Sequence, residues 1–213
     1  MKTKLAVIMN VLLILGAIAY SLFVSPKMPN IVPTHWNAAG QVDKYGNKAL
    51  TLLMMPGTMV MMLVLLVSLP KISPEQFSIE PFKPAFNSIM VIVNVMMGYL
   101  HFIIIQAALN PKFDIIKFMG IGIFLCFALL GNSLGKIRKN YFMGIRTPWT
   151  LSSASNWITT HRMAAWTITG ANLIAFFAIL IGVNWLVCFS ISTLSFLIPV
   201  CYSYYHFKTK PQQ

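Results

Sequence analysis

The chain predicts an all-α fold, a polytopic integral membrane protein of about six transmembrane helices with both termini in the cytoplasm. Three observations carry that prediction. Of 213 residues, 57% are hydrophobic and only 9% are charged, a balance foreign to soluble domains of this size. Apolar runs of about twenty residues recur along the whole length, each long enough at ~1.5 Å per residue to cross a hydrocarbon core. Lysines and arginines gather in alternate connections between those runs. The chain reads as a single membrane domain, with no room for a separate soluble one.

The first span covers residues 5–24. Lys2 and Lys4 precede it, and Ala17-Ile18-Ala19 mimics a signal-peptidase site. The apolar run continues through Val24, so a retained helix is expected rather than a removed signal. Residues 25–49 form an outer module, and the second span follows at 50–69. The Ser73–Pro84 connector carries three prolines with Glu75 and Glu80. The third span, 86–109, ends at an Asn110-Pro111 turn. The fourth, 115–134, is the most diluted, by Lys117, Asn132 and three glycines. The fifth and sixth, 163–183 and 185–205, are parted almost only by Asn184 and so form a tight antiparallel pair. Lipid offers no partner for unpaired amides, so every span must be helical.

The formal charge of +12 does not point to nucleic acid, because the basic residues flank apolar runs, where they act as topology signals and anionic-lipid contacts. With the N-terminus inside, the cytoplasmic segments hold eleven Lys and Arg against five outside. Cys126, Cys188 and Cys201 lie inside apolar runs as small hydrophobes. No cofactor is implied.

Two loops carry the chemistry. In the outer module, Pro29 and Pro33 hold the chain extended, and Ala39-Gly40 and Tyr45-Gly46-Asn47 supply turn residues. His35, Trp36, Asn37, Gly40 and Asp43 can make a compact polar surface. Two readings stay open: a connector anchored by Trp36 at the interface, or a recognition surface for an external ligand. One His and one Asp are too few for a metal site.

The inner loop, residues 131–162, holds Lys136, Arg138, Lys139, Arg146 and Arg162 and no acid. Thr147, Pro148 and Trp149 form an extended stretch beside Arg146. Thr150 or Ser152 is placed to cap a helix carrying Trp157 and His161, four apart on one face, into the fifth span. Arg162 sits where a long stem snorkels toward headgroups. Here too two readings stand: a lipid anchor, or a specific site in which Arg146 and Arg138 clamp a carboxylate or phosphate. Catalysis is a poor fit, since the loop has no acid or cysteine, and HExxH, GxSxG and the P-loop are absent. Within the spans, Asn94 and His101 lie on one face of the third and Asn172 sits mid-way in the fifth; each reads as helix glue or as part of a pathway.

At these loops the chain resembles the SdpI-like family of bacterial membrane proteins. Ile31–Asn37 with Gly40 and Asp43–Gly46 looks like that family's N-terminal module of unassigned function. Gly131-Asn132, Asn140-Tyr141, Gly144–Leu151, Trp157 and Thr160-His161-Arg162 look like its C-terminal signature. The resemblance implies a non-enzymatic plasma-membrane protein giving immunity to a secreted peptide toxin. It also implies a receptor that holds a cytoplasmic repressor at the membrane, without direct contact to nucleic acid. The chain departs from the pattern at Ala154, Ser155 and Asn156, where the family often has acids, and at Thr159, where it often has a base. A first-turn acid is worth about 0.3–1 kcal/mol at a helix N-terminus, so a signalling role that uses charge pairing there is in question. The alternatives are a lipid- or peptide-modifying membrane enzyme using His35 or His161, or a small transporter using Asn94, His101 or Asn172.

Overall fold

A computed structural model describes residues 1–37 and 39–209; Lys210, counted above among the inner cations, lies outside them. Among the described residues six helices are long and apolar enough to cross a membrane. They are α1 (Thr3–Val24), α2 (Lys48–Ile72), α3 (Lys83–Leu109), α4 (Ile115–Leu134), α6 (Ala154–Leu180) and α7 (Trp185–Thr209). Between α4 and α6 lies a one-turn helix, α5 (Pro148–Ser152). Large apolar side chains such as Leu22, Phe23, Phe177 and Ile181 point outward from these helices, as a lipid-facing surface requires.

The helices pack as two three-helix units. α1, α2 and α3 contact one another, and so do α4, α6 and α7; the principal helix-to-helix seam between the units is α3 on α4. Each unit carries proline inside a helix, Pro56 and Pro70 in α2 and Pro199 in α7. A helical proline frees the carbonyl four residues earlier, which lipid cannot satisfy. The carbonyls freed by Pro56 and Pro199 each find a hydroxyl on a neighbouring helix. Ser21 of α1 donates to the Leu52 carbonyl at 3.1 Å, and Thr167 of α6 donates to that of Ser195 at 3.4 Å.

The all-helical class holds for the spans, but the outer module adds a β-hairpin. Strands β1 (Ile31–Trp36) and β2 (Val42–Asn47) pair antiparallel, with irregularities around His35. Val32 is fully buried beneath the hairpin against Val24, Met28, Leu52 and Ile105. Asn47 ends β2 and caps α2, accepting from the Ala49 N–H at 2.7 Å. A Cβ on Gly40, at φ +78, would stand 3.1 Å from Ile116, so the tip of the hairpin reaches the start of α4.

The opposite face gathers the N-terminus, the 73–82 connector, the 135–153 loop and the end of α7. The N-terminal ammonium donates to the Pro84 carbonyl, the Phe77 ring packs tilted against Tyr141 with centroids 3.9 Å apart, and Trp149 donates to Ser203 at 2.5 Å. The largest core cluster lies just beneath, where Trp157 of α6 packs with Ala6, Leu66, Ile79, Phe86 and Ile137.

Candidate functional site

The hairpin turns its polar groups outward. His35 Nδ1 meets Asp43 Oδ1 at 2.5 Å, with side chains 59% and 40% exposed. Asn37 builds the tip: its Oδ1 accepts from the Ala39 and Gln41 N–H groups, both at 3.0 Å. Trp36 is half-buried opposite Val42. The five residues read from the sequence thus fall on one small structure, with Asn37 and Gly40 shaping it and His35 and Asp43 available on it.

The signature loop does the reverse and spends most of its polar groups internally. Asn140 is fully buried and closes its own turn. Its Nδ2 donates to the carbonyls of Arg138 and Met143, and its Oδ1 accepts from the N–H groups of Phe142 and Met143. Trp157 donates to the Ile137 carbonyl at 2.9 Å and stacks on His161 with centroids 4.1 Å apart. Both nitrogens of His161 are taken by backbone: the Ile145 N–H lies 3.0 Å from Nε2, and Nδ1 lies 2.8 Å from the Trp157 carbonyl. An N–H can only donate and a carbonyl only accept, so His161 is the neutral Nδ1–H tautomer. Gly144 crosses this pair at φ +102, where an added Cβ would stand 2.4 Å from His161 Nε2. Only glycine fits.

Capping differs from the reading above. Thr147 caps a separate one-turn helix, α5, in a reciprocal box with Thr150, whose buried hydroxyl also donates to Ile145. Ser153, neither Thr150 nor Ser152, caps α6, the helix that carries Trp157 and His161, by accepting from the Asn156 N–H. The stretch expected to be extended turns helical at Pro148, the first residue of α5, where its missing N–H is among those with no intrahelical partner anyway. Asn156, at one of the positions where the resembled family often carries an acid, is fully buried. It donates to the Ser203 carbonyl at 2.9 Å and accepts from Thr160. A carboxylate could not make the first of these bonds, so the uncharged residue suits this α6–α7 contact.

Few signature residues remain outside. Tyr141, Arg146 and Arg162 are exposed. Arg146 donates to the Tyr141 carbonyl, whereas Arg138 lines a separate cavity with Glu75 and Lys139. The expected Arg138–Arg146 clamp is therefore not assembled: the folded loop spends Arg146 on its own backbone. Gly131 and Asn132 belong to α4 rather than to the loop, with Asn132 exposed on the helix surface.

The intramembrane polar residues tie helices together. Asn94 of α3 donates to Asn10 of α1 and to the Met59 carbonyl of α2. Ser21, which lies 3.1 Å from the Leu52 carbonyl, also hydrogen-bonds His101 Nε2 at 2.8 Å. Asn172 donates to Ile168 and Ser195 and accepts from Ser192, joining α6 to α7. Asn10, Ser21, Ser192 and Ser203 were not singled out in the sequence. A lone Asn or Ser in an apolar run gives no sign of which helix it will meet.

With this geometry in place, comparison with known proteins is informative. Residues 136–203 match the SdpI/YfhL protein family, and residues 12–60 match a domain of unknown function, DUF1648. The SdpI resemblance holds. The chain is also 24% identical over 158 residues to the immunity protein SdpI of Bacillus subtilis (strain 168), covering 74% of this chain and 73% of that one. No solved structure gives a significant match. The two matches fall on the two faces: DUF1648 spans most of α1, the hairpin and half of α2, while the SdpI match runs from the loop through most of α7. The six helices and this similarity make the chain a multi-pass protein of the bacterial plasma membrane, akin to membrane immunity proteins.

Proposed function

We propose that this protein protects its host cell from a secreted, membrane-active peptide toxin, and that it signals toxin capture by holding a cytoplasmic repressor at the membrane. The observation that carries the proposal is the two-sided build, with an exposed polar hairpin on one face and a rigidly held loop with exposed cations on the other. The distribution of Lys and Arg supports placing the loop and both termini in the cytoplasm and the hairpin outside. The toxin would meet the hairpin around His35 and Asp43. Arg146, Arg162 and Tyr141 would offer the repressor its surface. The process is one of binding; His161, with both ring nitrogens engaged by backbone, holds the loop in shape.

The test is expression of the chain in a toxin-sensitive strain challenged with purified membrane-active peptides. Survival should rise with the wild-type chain. Arg146→Ala should abolish protection while membrane abundance stays unchanged, because its side chain is exposed. Full protection by that variant at normal abundance would remove the loop from the mechanism.

A further inference from the structure

One cavity on the loop face joins the two helical units. It has a volume of about 270 Å³ and is lined by Glu75 and Gln76 of the connector, Arg138 and Lys139 of the loop, and Ala154, Trp157 and Ile158 of α6, among others. At the ~30 Å³ share of a liquid water, it has room for several water-sized groups, the bulk of a phosphoethanolamine headgroup.

Its charges are opposite yet unpaired with each other. The two ion pairs found among the described residues are His35–Asp43 and Lys83–Glu80; Glu75, Arg138 and Lys139 form none. Lys139 instead lies 5.7 Å over the Phe77 ring. A cavity with two cations and one carboxylate suits a ligand that carries an anion and a cation together. The first turn of α6, at Ala154, adds the positive end of a long helix on the side of the anion.

The surface beyond the cavity is what a lipid would need. Ala154, Ile158, Arg162 and Trp166 are four apart and so share one face of α6. All four are exposed, Ile158 by 44% and Trp166 by 82%. The stripe descends from the cavity along a membrane-spanning helix, with Arg162 placed to snorkel and Trp166 one turn further in.

We propose that this cavity binds the headgroup of an aminophospholipid of the phosphatidylethanolamine type. Arg138 and Lys139 hold the phosphate, Glu75 accepts from the primary ammonium, and the acyl chains lie along the Ile158–Trp166 stripe. Phosphatidylglycerol, with neutral hydroxyls in place of the ammonium, gives Glu75 no opposite charge. The lipid would bridge the 73–82 connector of the first unit to the signature loop of the second. Nothing in this assignment depends on toxin immunity.

The experiment is native mass spectrometry of the purified full chain in detergent, titrated with phosphatidylethanolamine, phosphatidylglycerol or inorganic phosphate, with no toxin present. Phosphatidylethanolamine should be retained preferentially. Glu75→Gln and Arg138→Gln should each weaken it about tenfold, the scale of one charge-assisted hydrogen bond. Glu80→Gln, outside the cavity, should bind as wild type, and Glu75→Lys should shift preference to phosphatidylglycerol. Circular dichroism checks that each variant is folded. Equal retention of both lipids by the wild type, or indifference to Glu75 and Arg138, overturns the assignment. So does displacement of the lipid by inorganic phosphate as effectively as by short-chain phosphatidylethanolamine, which identifies a soluble-anion site.

Discussion

The hairpin and the signature loop use the same kinds of residue in opposite ways. In the hairpin, His35 and Asp43 face solvent, and one buried side chain, Val32, roots the structure in the helices beneath it. In the loop, Asn140, Thr150, Trp157 and His161 face inward and satisfy each other's backbone. The difference teaches that a motif rich in polar residues need not be a contact surface. On the hairpin, the motif residues are available to a ligand. In the loop, most of them form a lock, and only a few, Tyr141, Arg146 and Arg162 among them, are left exposed.

Four measurements break or sharpen that contrast, each read as thermal or denaturant stability of purified protein beside its membrane abundance. Gly144→Ala should be the most damaging, costing more than ~2 kcal/mol and depleting folded protein, because φ is +102 and the new Cβ would meet His161. His161→Ala should cost roughly 2–3 kcal/mol, since it unstacks Trp157 and strands the Ile145 N–H; a near-neutral result would mean that the loop is not locked. Ser21→Ala should cost about 1 kcal/mol by leaving the Leu52 carbonyl and His101 Nε2 without their partner. His35→Ala and Asp43→Asn should change stability by less than ~0.5 kcal/mol, as expected for an exposed pair, yet reduce protection in the challenge assay. If the hairpin variants unfold the protein as readily as His161→Ala does, the distinction between surface and lock is gone.

The spans were legible because hydropathy and helix rise are local properties. So was the shared face of Trp157 and His161, which four-residue spacing dictates and which became a stack. The hairpin was not. Its strands carry Pro33 and Gly46 and pair with irregular register around His35, so no clean alternation marks them. The clamp expected of Arg138 and Arg146 failed for a different reason. Sequence spacing does not reveal that Arg146 will turn back to the Tyr141 carbonyl. Likewise Pro56 could be read as a helix kink, but not that Ser21, more than thirty residues away, would take up the carbonyl it frees.

That last feature bears on how the protein is made. The buried polar ties of the first three helices, Asn10 to Asn94, Asn94 to Met59, and His101 through Ser21 to Leu52, all close within residues 1–109. Those of the last helices, through Asn172, Ser192, Ser195, Asn156 and Ser203, close among themselves. The first half leaving the ribosome therefore already contains the partners for these groups. It can settle in the bilayer during synthesis, before the helices that will carry the loop have emerged.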